Sequence, residues 1–183
     1  MEYRLKNGLL VIVREFKPED FDGMVVMFKN LSGEALRFGL PPYDRPRLER
    51  WITGVGGGVL LLAFEHANVV GVAMVYGREN SRFKGIGDFV IYLHQDYHNQ
   101  GLGTFMSRAT LQTAQRRGFH RVGLEVVADN AAAIRAYEKA GFHVEGRMKD
   151  AFYGDEGTYH DKLIMGAILD NERSMHDSSR ASE

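Results

Sequence analysis

A turn with two glycines joins a predicted strand to a predicted helix, and it constrains the fold of this chain most strongly. It reads YHNQGLGT, from Tyr97 to Thr104. Glycine permits the left-handed backbone that such a turn needs, and the first turn of a helix leaves its N–H groups without partners. Several amides then point at one spot near the positive end of the helix, a geometry that binds phosphate or pyrophosphate. A tight turn without a ligand has the same pattern, so the rest of the sequence is needed to tell whether this turn binds a phosphate.

Short β-branched runs and helical spacing predict one mixed domain around this turn. We expect an α+β fold, a mostly antiparallel sheet flanked by helices, in the order β-α-α-β-β-β-α-β-α-β-β. Residues 1–169 should form a single domain and the polar residues 170–183 a disordered tail. The predicted strands are 8–15, 59–65, 69–77, 86–94, 121–127, 142–152 and 158–169, and the predicted helices are 18–30, 47–53, 102–117 and 130–140.

Composition excludes several classes of protein. The 183 residues include no cysteine, so disulfides, thiolate metal sites and a cysteine nucleophile are excluded. Lysine and arginine total 23 against 24 acidic residues, a balance that does not indicate direct nucleic-acid binding or an anionic membrane surface. The apolar runs are too short to span a bilayer, and we expect no signal peptide. We therefore expect a cytoplasmic protein, a monomer or a homodimer.

Other ligand sites with similar motifs do not match. No Gly-Lys-Ser or Gly-Lys-Thr follows the turn, so a P-loop is not supported. The third glycine of the dinucleotide pattern would fall at Met106, which argues against a dinucleotide fold. His94 and His98 are four residues apart, a spacing that suits a metal only on a helix, and they lie at a strand end and in a turn. We expect no bound metal.

A second motif, downstream of the turn, indicates which anion the turn binds. Leu124–Asn130 reads LEVVADN and Ala133–Phe142 reads AIRAYEKAGF. The strand, the QGLG turn, the helix and this N-x-x-A-I-x-x-Y-E-K-x-G-F pattern together resemble the GCN5-related N-acetyltransferase family. The resemblance covers roughly Ile86 to Leu169, and the first half agrees mainly in element order. It implies an acyl-CoA N-acyltransferase fold and acetyl-CoA as the cosubstrate.

The resemblance also implies which residues hold acetyl-CoA. The pyrophosphate would rest on the amides of the turn, and the pantetheine arm would pair with the backbone of the preceding strand. His98 departs from the family pattern, which has Arg or Gln there, and a neutral imidazole supplies less charge than arginine. Asn130 is also a suitable N-cap for the next helix. The implied cofactor contacts are Tyr92, Leu93, His98, Asn99, Gln100, Gly101, Leu102, Gly103, Thr104, Asn130 and Tyr137.

Acetyl transfer needs a base, because an amine with a pKa of about 10.4 is almost fully protonated at neutral pH. A tyrosine hydroxyl can protonate the leaving CoA thiolate. By resemblance to the ribosomal-protein alanine N-acetyltransferases, Glu125 is the expected base and Tyr137 the expected acid. Asp88, at the start of the strand before the turn, is the rival base. Glu125 could instead face solvent or pair with Arg121, and Tyr137 could be a core residue.

The acceptor is less constrained than the donor. Asn30–Phe38 loosely resembles an LS-x-E-x-x-x-RF segment of protein-lysine acetyltransferases. Together with the similarity to the ribosomal-protein enzymes, this favours a protein lysine or N-terminal amine as the acceptor, and we expect direct transfer in a ternary complex. A small amine (a polyamine, an amino acid or a drug) is the alternative, because acceptor loops vary in this family. A non-catalytic acyl-CoA-binding regulatory module would need neither base nor acid. Tyr153 and Tyr159 could line the acceptor entrance, and His160-Asp161 is expected to be structural.

Overall fold

The computed structural model describes residues 1–77 and 80–169, and the predicted tail 170–183 lies outside them. Within this range eight strands form one sheet: β1 (Glu2–Arg4), β2 (Leu10–Glu15), β3 (Val59–Glu65), β4 (Asn68–Gly77), β5 (Ile86–Leu93), β6 (Arg121–Val127), β7 (His143–Tyr153) and β8 (Tyr159–Ile168). The helices are α1 (Phe21–Lys29), α2 (Gly33–Leu36), α3 (Arg45–Val55), α4 (Leu102–Arg116) and α5 (Ala131–Ala140). Three short 3-10 turns cover Pro18–Asp20, Ser81–Phe83 and Gln95–Tyr97.

The sheet contains a gap. Its strands lie in the order β1-β2-β3-β4-β5-β6-β8-β7, and every neighbouring pair is antiparallel except β5 and β6. That parallel pair is short, because it joins only Ile86–Asp88 to Arg121–Gly123. Beyond Asp88 and Gly123 the two strands part, which leaves their carboxyl-terminal halves unpaired with each other.

A hydrophobic core lies on each face of this sheet. Helix α4 covers one face through the fully buried Leu102 and Met106, and α5 packs beside it. Helices α1 and α3 cover the other face, where Leu48 is fully buried. Side chains alternate along β5 in accordance with this arrangement, since Phe89 lies in the first core and Tyr92 packs against the second. We call these the α4 face and the α3 face.

The predicted fold class is confirmed, with two short elements added. Strand β1 has three residues and forms only by pairing with β2, a tertiary contact that a local pattern does not reveal. Helix α2 is a single turn in which the Ser32 side chain accepts a hydrogen bond from the Ala35 N–H. Helix α3 begins earlier than predicted because the Asp44 side chain caps it by accepting from the Arg47 N–H. No helix in the described part of the chain could cross a membrane.

Candidate active site

The glycine turn leaves a row of free amides at the start of α4. Asn99 and Gly101 both adopt the left-handed conformation, with φ of 59° and 88°. The first helical hydrogen bond runs from the Phe105 N–H to the Gly101 carbonyl. Within residues 1–77 and 80–169, the N–H groups of positions 99–104 donate to no other residue. These consecutive donors at the positive end of α4 form the arrangement that a pyrophosphate needs.

The N-terminal hairpin supports this turn from behind. The Lys6 N–H donates to the Gln100 carbonyl at 3.4 Å, and the Asn7 N–H donates to Gln100 Oε1 at 3.2 Å. The Tyr3 ring stacks on Phe105 with centroids 4.4 Å apart. This support was not predicted from the sequence, because β1 and the loop after it carry no local pattern that relates them to the turn.

His98 connects the turn to the end of β5. Its Nε2 lies 3.1 Å from the carbonyl oxygen of Leu93. A carbonyl only accepts, so Nε2 carries the proton and donates. While the ring is neutral, only the acceptor Nδ1 is left for another ligand. A neutral His98 therefore positions the turn and offers no further N–H to a phosphate, unlike the arginine that the family pattern has here.

Backbone groups of β5 line one side of the gap. The His94 N–H donates across to β4, which fixes the alternation of hydrogen bonds along the strand. The N–H and C=O groups of Phe89, Ile91 and Leu93 consequently point into the gap. The backbone groups of Tyr92 point to β4 instead, so they are not available to the pantetheine arm that was expected to pair there. Ile91, which was not predicted from the sequence, presents its backbone groups to the gap. An extended amide such as a pantetheine arm can pair with this edge.

Strand β6 lines the other side of the gap. The Ala128 N–H donates to β8, so by the same alternation the backbone groups of Glu125 and Val127 point into the gap. The Glu125 side chain is half-exposed and accepts a hydrogen bond from Lys162 Nζ at 3.1 Å. Arg121, the other partner considered for Glu125, forms an ion pair with Glu145 instead.

Tyr137 lies where β5 and β6 part. Its ring packs edge-on against Phe89, the first residue of β5 beyond the pairing with β6, with centroids 6.0 Å apart. A second edge contact joins it to Phe142 at 5.9 Å. Burial raises the pKa of Tyr137 to about 12, so the hydroxyl keeps its proton at neutral pH. In the described part of the chain this hydroxyl has no hydrogen-bond partner, and it is not sealed from solvent.

Asp88 lies at the closed end of the gap. It is the last residue of β5 paired with β6, and its Oδ1 lies 3.9 Å from the position that a Cβ at Gly123 would take. Alternation places the side chains of Asp88 and Glu125 on the α3 face, whereas Tyr137 packs on the α4 face. The structure thus puts both candidate bases on one face and the candidate acid on the other, at the opening that connects the faces.

Two further predictions concern Asn130 and metals. Asn130 Oδ1 accepts from the Ala133 N–H at 3.2 Å, so its predicted role as N-cap of α5 is confirmed. Its contact with the cofactor stays a prediction. Among the residues that the structure describes, no cluster of three or more histidine or acidic side chains could hold a metal ion.

A cavity on the α3 face was not predicted from the sequence. It has a volume of about 380 Å³ and lies between α3 and strands β4 and β5. Trp51 and Tyr92 form an aromatic wall, and Tyr76, whose register partner is Asp88, lies in the lining as well. The Tyr92 hydroxyl lies 2.6 Å from that of Tyr43, and burial raises the pKa of Tyr92, so it stays neutral. From the sequence only Tyr92 was expected to take part in the site, as a cofactor contact, whereas Trp51 and Tyr76 were expected only within a helix and a strand.

Known proteins share this architecture. The model of the acetyltransferase (GNAT) family matches residues 25–142, which include the turn, both strands of the gap and α5. The L-methionine sulfoximine/L-methionine sulfone acetyltransferase of Pseudomonas paraeruginosa is 25% identical over 169 residues, 88% of this chain and 96% of that protein. The ribosomal protein bS18-alanine N-acetyltransferase of Escherichia coli is 36% identical over 77 residues, 42% of this chain and 51% of that protein. The structure of yncA from Salmonella typhimurium, solved with its cofactor acetyl-CoA, matches with a TM-score of 0.76 and 23% identity over 88% of this chain and 95% of that one.

Proposed function

Because the chain belongs to the acetyltransferase (GNAT) family, we propose that it transfers the acetyl group of acetyl-CoA to a small primary amine bound on the α3 face. It is an N-acetyltransferase that acts on amines, and acetyl-CoA is its donor. The observation that carries the choice of a small acceptor is the cavity of about 380 Å³ beside β5. Its size suits a small molecule, and it lies on the same face as both candidate bases.

The donor half of the site is built from backbone. The free amides of positions 99–104 suit the pyrophosphate of acetyl-CoA, and the gap-facing groups of Ile91 and the N–H of Leu93 suit its pantetheine amides. The thioester would then lie near Tyr137, where the strands part. Backbone donors supply these contacts whatever the side chain, which supports binding despite the histidine at position 98.

The chemical step requires a proton to leave the acceptor and a proton to reach the sulfur. In our proposal Glu125 or Asp88 accepts the proton of the acceptor ammonium, directly or through water. The neutral amine attacks the thioester carbonyl, the new C–N bond forms and the C–S bond breaks. The Tyr137 hydroxyl donates its proton to the leaving thiolate. If Glu125 is the base, the acceptor amine and Lys162 must both contact the Glu125 carboxylate.

A protein lysine or N-terminal amine is the second candidate acceptor. By the resemblance of their motif, Glu125 and Tyr137 are expected at the positions of the base and acid of the ribosomal-protein enzymes. The E. coli relative of that class is 36% identical but covers 42% of this chain, whereas the P. paraeruginosa relative covers 88%. The fuller match and the cavity together favour the small acceptor.

A CoA-release assay separates these possibilities. Wild-type protein is incubated with acetyl-CoA and a panel of polyamines, amino acids, other small amines, and peptides with a free N-terminus or lysine. We expect release with at least one small amine and higher kcat/KM for it than for any peptide. A preference for peptides would favour the second candidate. Tight binding of acetyl-CoA without release for any acceptor would contradict the enzyme and favour a regulatory module.

Tyr137→Phe tests the acid. The hydroxyl has no hydrogen-bond partner among the described residues, so its removal should leave the free energy of unfolding almost unchanged. General acid catalysis contributes about 10²-fold or more, so we expect kcat to fall by about 100-fold with the KM for acetyl-CoA nearly constant. Unchanged kcat would remove Tyr137 from this role. Glu125→Gln and Asp88→Asn, measured in parallel, would identify the base as the position with the greater loss of kcat.

A further inference from the structure

Among the residues that the structure describes, the lining of the cavity on the α3 face includes two arginines and no acidic residue. These are Arg47 and Arg50, and the other described lining residues are apolar, aromatic or glycine. Arg47 is held by donating to the carbonyls of Leu40 and Pro42 at 2.6 and 3.1 Å. The Arg50 guanidinium has no ion pair or hydrogen bond with any residue of the described chain. The cavity thus contains one fixed cation and one available cation.

An aromatic wall stands beside these cations. The Trp51 ring stacks on Tyr92 with centroids 5.8 Å apart and an interplanar angle of 26°. The guanidinium of Arg47 lies over the Trp51 ring at 5.8 Å from its centroid, which orients both groups. Met74 and Val90 add apolar surface from the sheet. Such a wall binds an apolar or flat side chain by burying its surface.

We propose that this cavity binds an acceptor amine that also carries a carboxylate, with the carboxylate on Arg50 and the apolar side chain against Trp51 and Tyr92. The inference rests on the proposed function, since it names the class of small amine that the reaction uses. Guanidinium groups bind carboxylates through two parallel hydrogen bonds. The same two cations repel a polyamine, because none of the described lining residues carries a carboxylate that would offset their charge.

The position of the cavity also suits an amino acid. Tyr76 lines it and is paired in register with Asp88, so one end of the cavity adjoins the closed end of the gap. A nearby cation stabilises the neutral form of an amine and so assists its deprotonation. An anionic substituent recognised here would leave the amine of the same small molecule within reach of the candidate bases.

Trp51 provides a direct binding test. It is the single tryptophan of the chain, so intrinsic fluorescence reports on this cavity. The protein saturated with CoA is titrated with L-phenylalanine and with L-phenylalaninamide, which share the amine and the side chain but differ in the carboxylate. We expect a saturable fluorescence change with an affinity at least about 10-fold higher for L-phenylalanine, the value of one charge-assisted hydrogen bond. Equal affinities, or a higher affinity for the amide, would overturn the proposal.

Variants then test which residue holds the carboxylate. Arg50→Gln should lower the affinity for L-phenylalanine by about 10- to 100-fold and leave that for the amide unchanged. Arg45→Gln is the matched control, because Arg45 lies on the same helix, pairs with Asp22 and does not line the cavity. An equal loss for both ligands, no loss, or the same loss in the control would overturn the assignment to Arg50.

Kinetics distinguish this inference from the proposed function. With acetyl-CoA present, Arg50→Gln should raise KM for L-phenylalanine with kcat nearly constant, since the residue binds the acceptor and does not react. CoA release with amines that lack a carboxylate, at equal or better kcat/KM, would overturn the inference and leave the N-acetyltransferase intact. Selective binding of L-phenylalanine without CoA release for any acceptor would instead contradict the proposed function and support the carboxylate site.

Discussion

Gly101→Ala tests whether the glycine turn binds the pyrophosphate of acetyl-CoA. Gly101 has a φ of 88°, and a Cβ built on it overlaps the Tyr3 hydroxyl oxygen, whereas the next nearest atom, Tyr3 Cζ, is 3.4 Å away. Gly118 lies just beyond the other end of α4 with a φ of 86° and open space around it. Alanine at either position suffers the same backbone strain, but only alanine at position 101 disturbs the turn.

The structure gives the size of each effect. A left-handed conformation costs an L-residue about 1–2 kcal/mol, so Gly118→Ala should lower the free energy of unfolding by that amount. Gly101→Ala must also displace Tyr3 from its stack on Phe105, a contact worth about 0.5–1.5 kcal/mol. The total for Gly101→Ala is about 1.5–3.5 kcal/mol, and each kcal/mol lowers Tm by about 2–4 °C in a chain of this size.

The functional effect should be confined to the turn. Loss of one charge-assisted hydrogen bond from the free amides would raise the KM for acetyl-CoA by about 10- to 100-fold in Gly101→Ala, with no change in Gly118→Ala. Tyr3→Phe in the Gly101→Ala background removes the overlapping atom and should restore the stability lost through displacement, but not that lost through strain. If both glycine variants have the same KM for acetyl-CoA, the turn is not the pyrophosphate site.

Three further predictions concern stability. Hydrogen bonds from Arg14 hold the pKa of the buried Asp20 below its usual value, so this stabilisation is present at neutral pH and is lost as the pH falls through the lowered pKa. In urea unfolding, Asp20→Asn should cost about 1–3 kcal/mol at neutral pH and little in strong acid; a pH-independent cost would contradict this. Ser107→Ala should gain about 1 kcal/mol in the same assay, because Ser107 Oγ is buried without a partner in the described chain; a loss would imply an unseen partner. The hydrogen bond to Asp129 raises the pKa of His160, so its stabilisation is present below the ordinary imidazole pKa and lost as the pH rises through the raised value. His160→Gln should therefore lower Tm more in mild acid than in alkali, and equal losses would refute the pairing.

The turn and helix start that we assign to the donor could be predicted in conformation because the information for them is local. A left-handed glycine before a helix start, an N-cap at Asn130 and the order of strands all depend on neighbours along the chain. Conformational preferences at these positions act over a few residues, so a short motif is enough to predict them. Predicted boundaries fall within a few residues of those observed, as for β5, predicted to end at His94 and observed to end at Leu93.

The contacts of the N-terminal hairpin with the glycine turn were not predictable. Tyr3 lies about a hundred residues before the turn that it contacts, and the hydrogen bond to Gln100 comes from a loop with no motif of its own. The partner of Glu125 was equally hidden, because Lys162 and Arg121 are both cations within reach of a mid-strand carboxylate. Lys162 reaches Glu125 only because β6 and β8 pair in an antiparallel register that places Lys162 opposite Val127, two residues from Glu125. Such pairings depend on how distant segments meet.

The two cores explain why acceptor recognition was the harder inference. The turn, α4 and Tyr137 belong to the core on the α4 face, whereas Trp51, Tyr43 and Tyr92 pack on the α3 face. Substitutions on opposite faces of the sheet share few contacts, so their effects should be nearly additive. The walls of the cavity can therefore change without disturbing the amides that we propose bind the donor. A motif that identifies the donor carries no information about those walls, and the acceptor must be inferred from the charge and shape of the cavity itself.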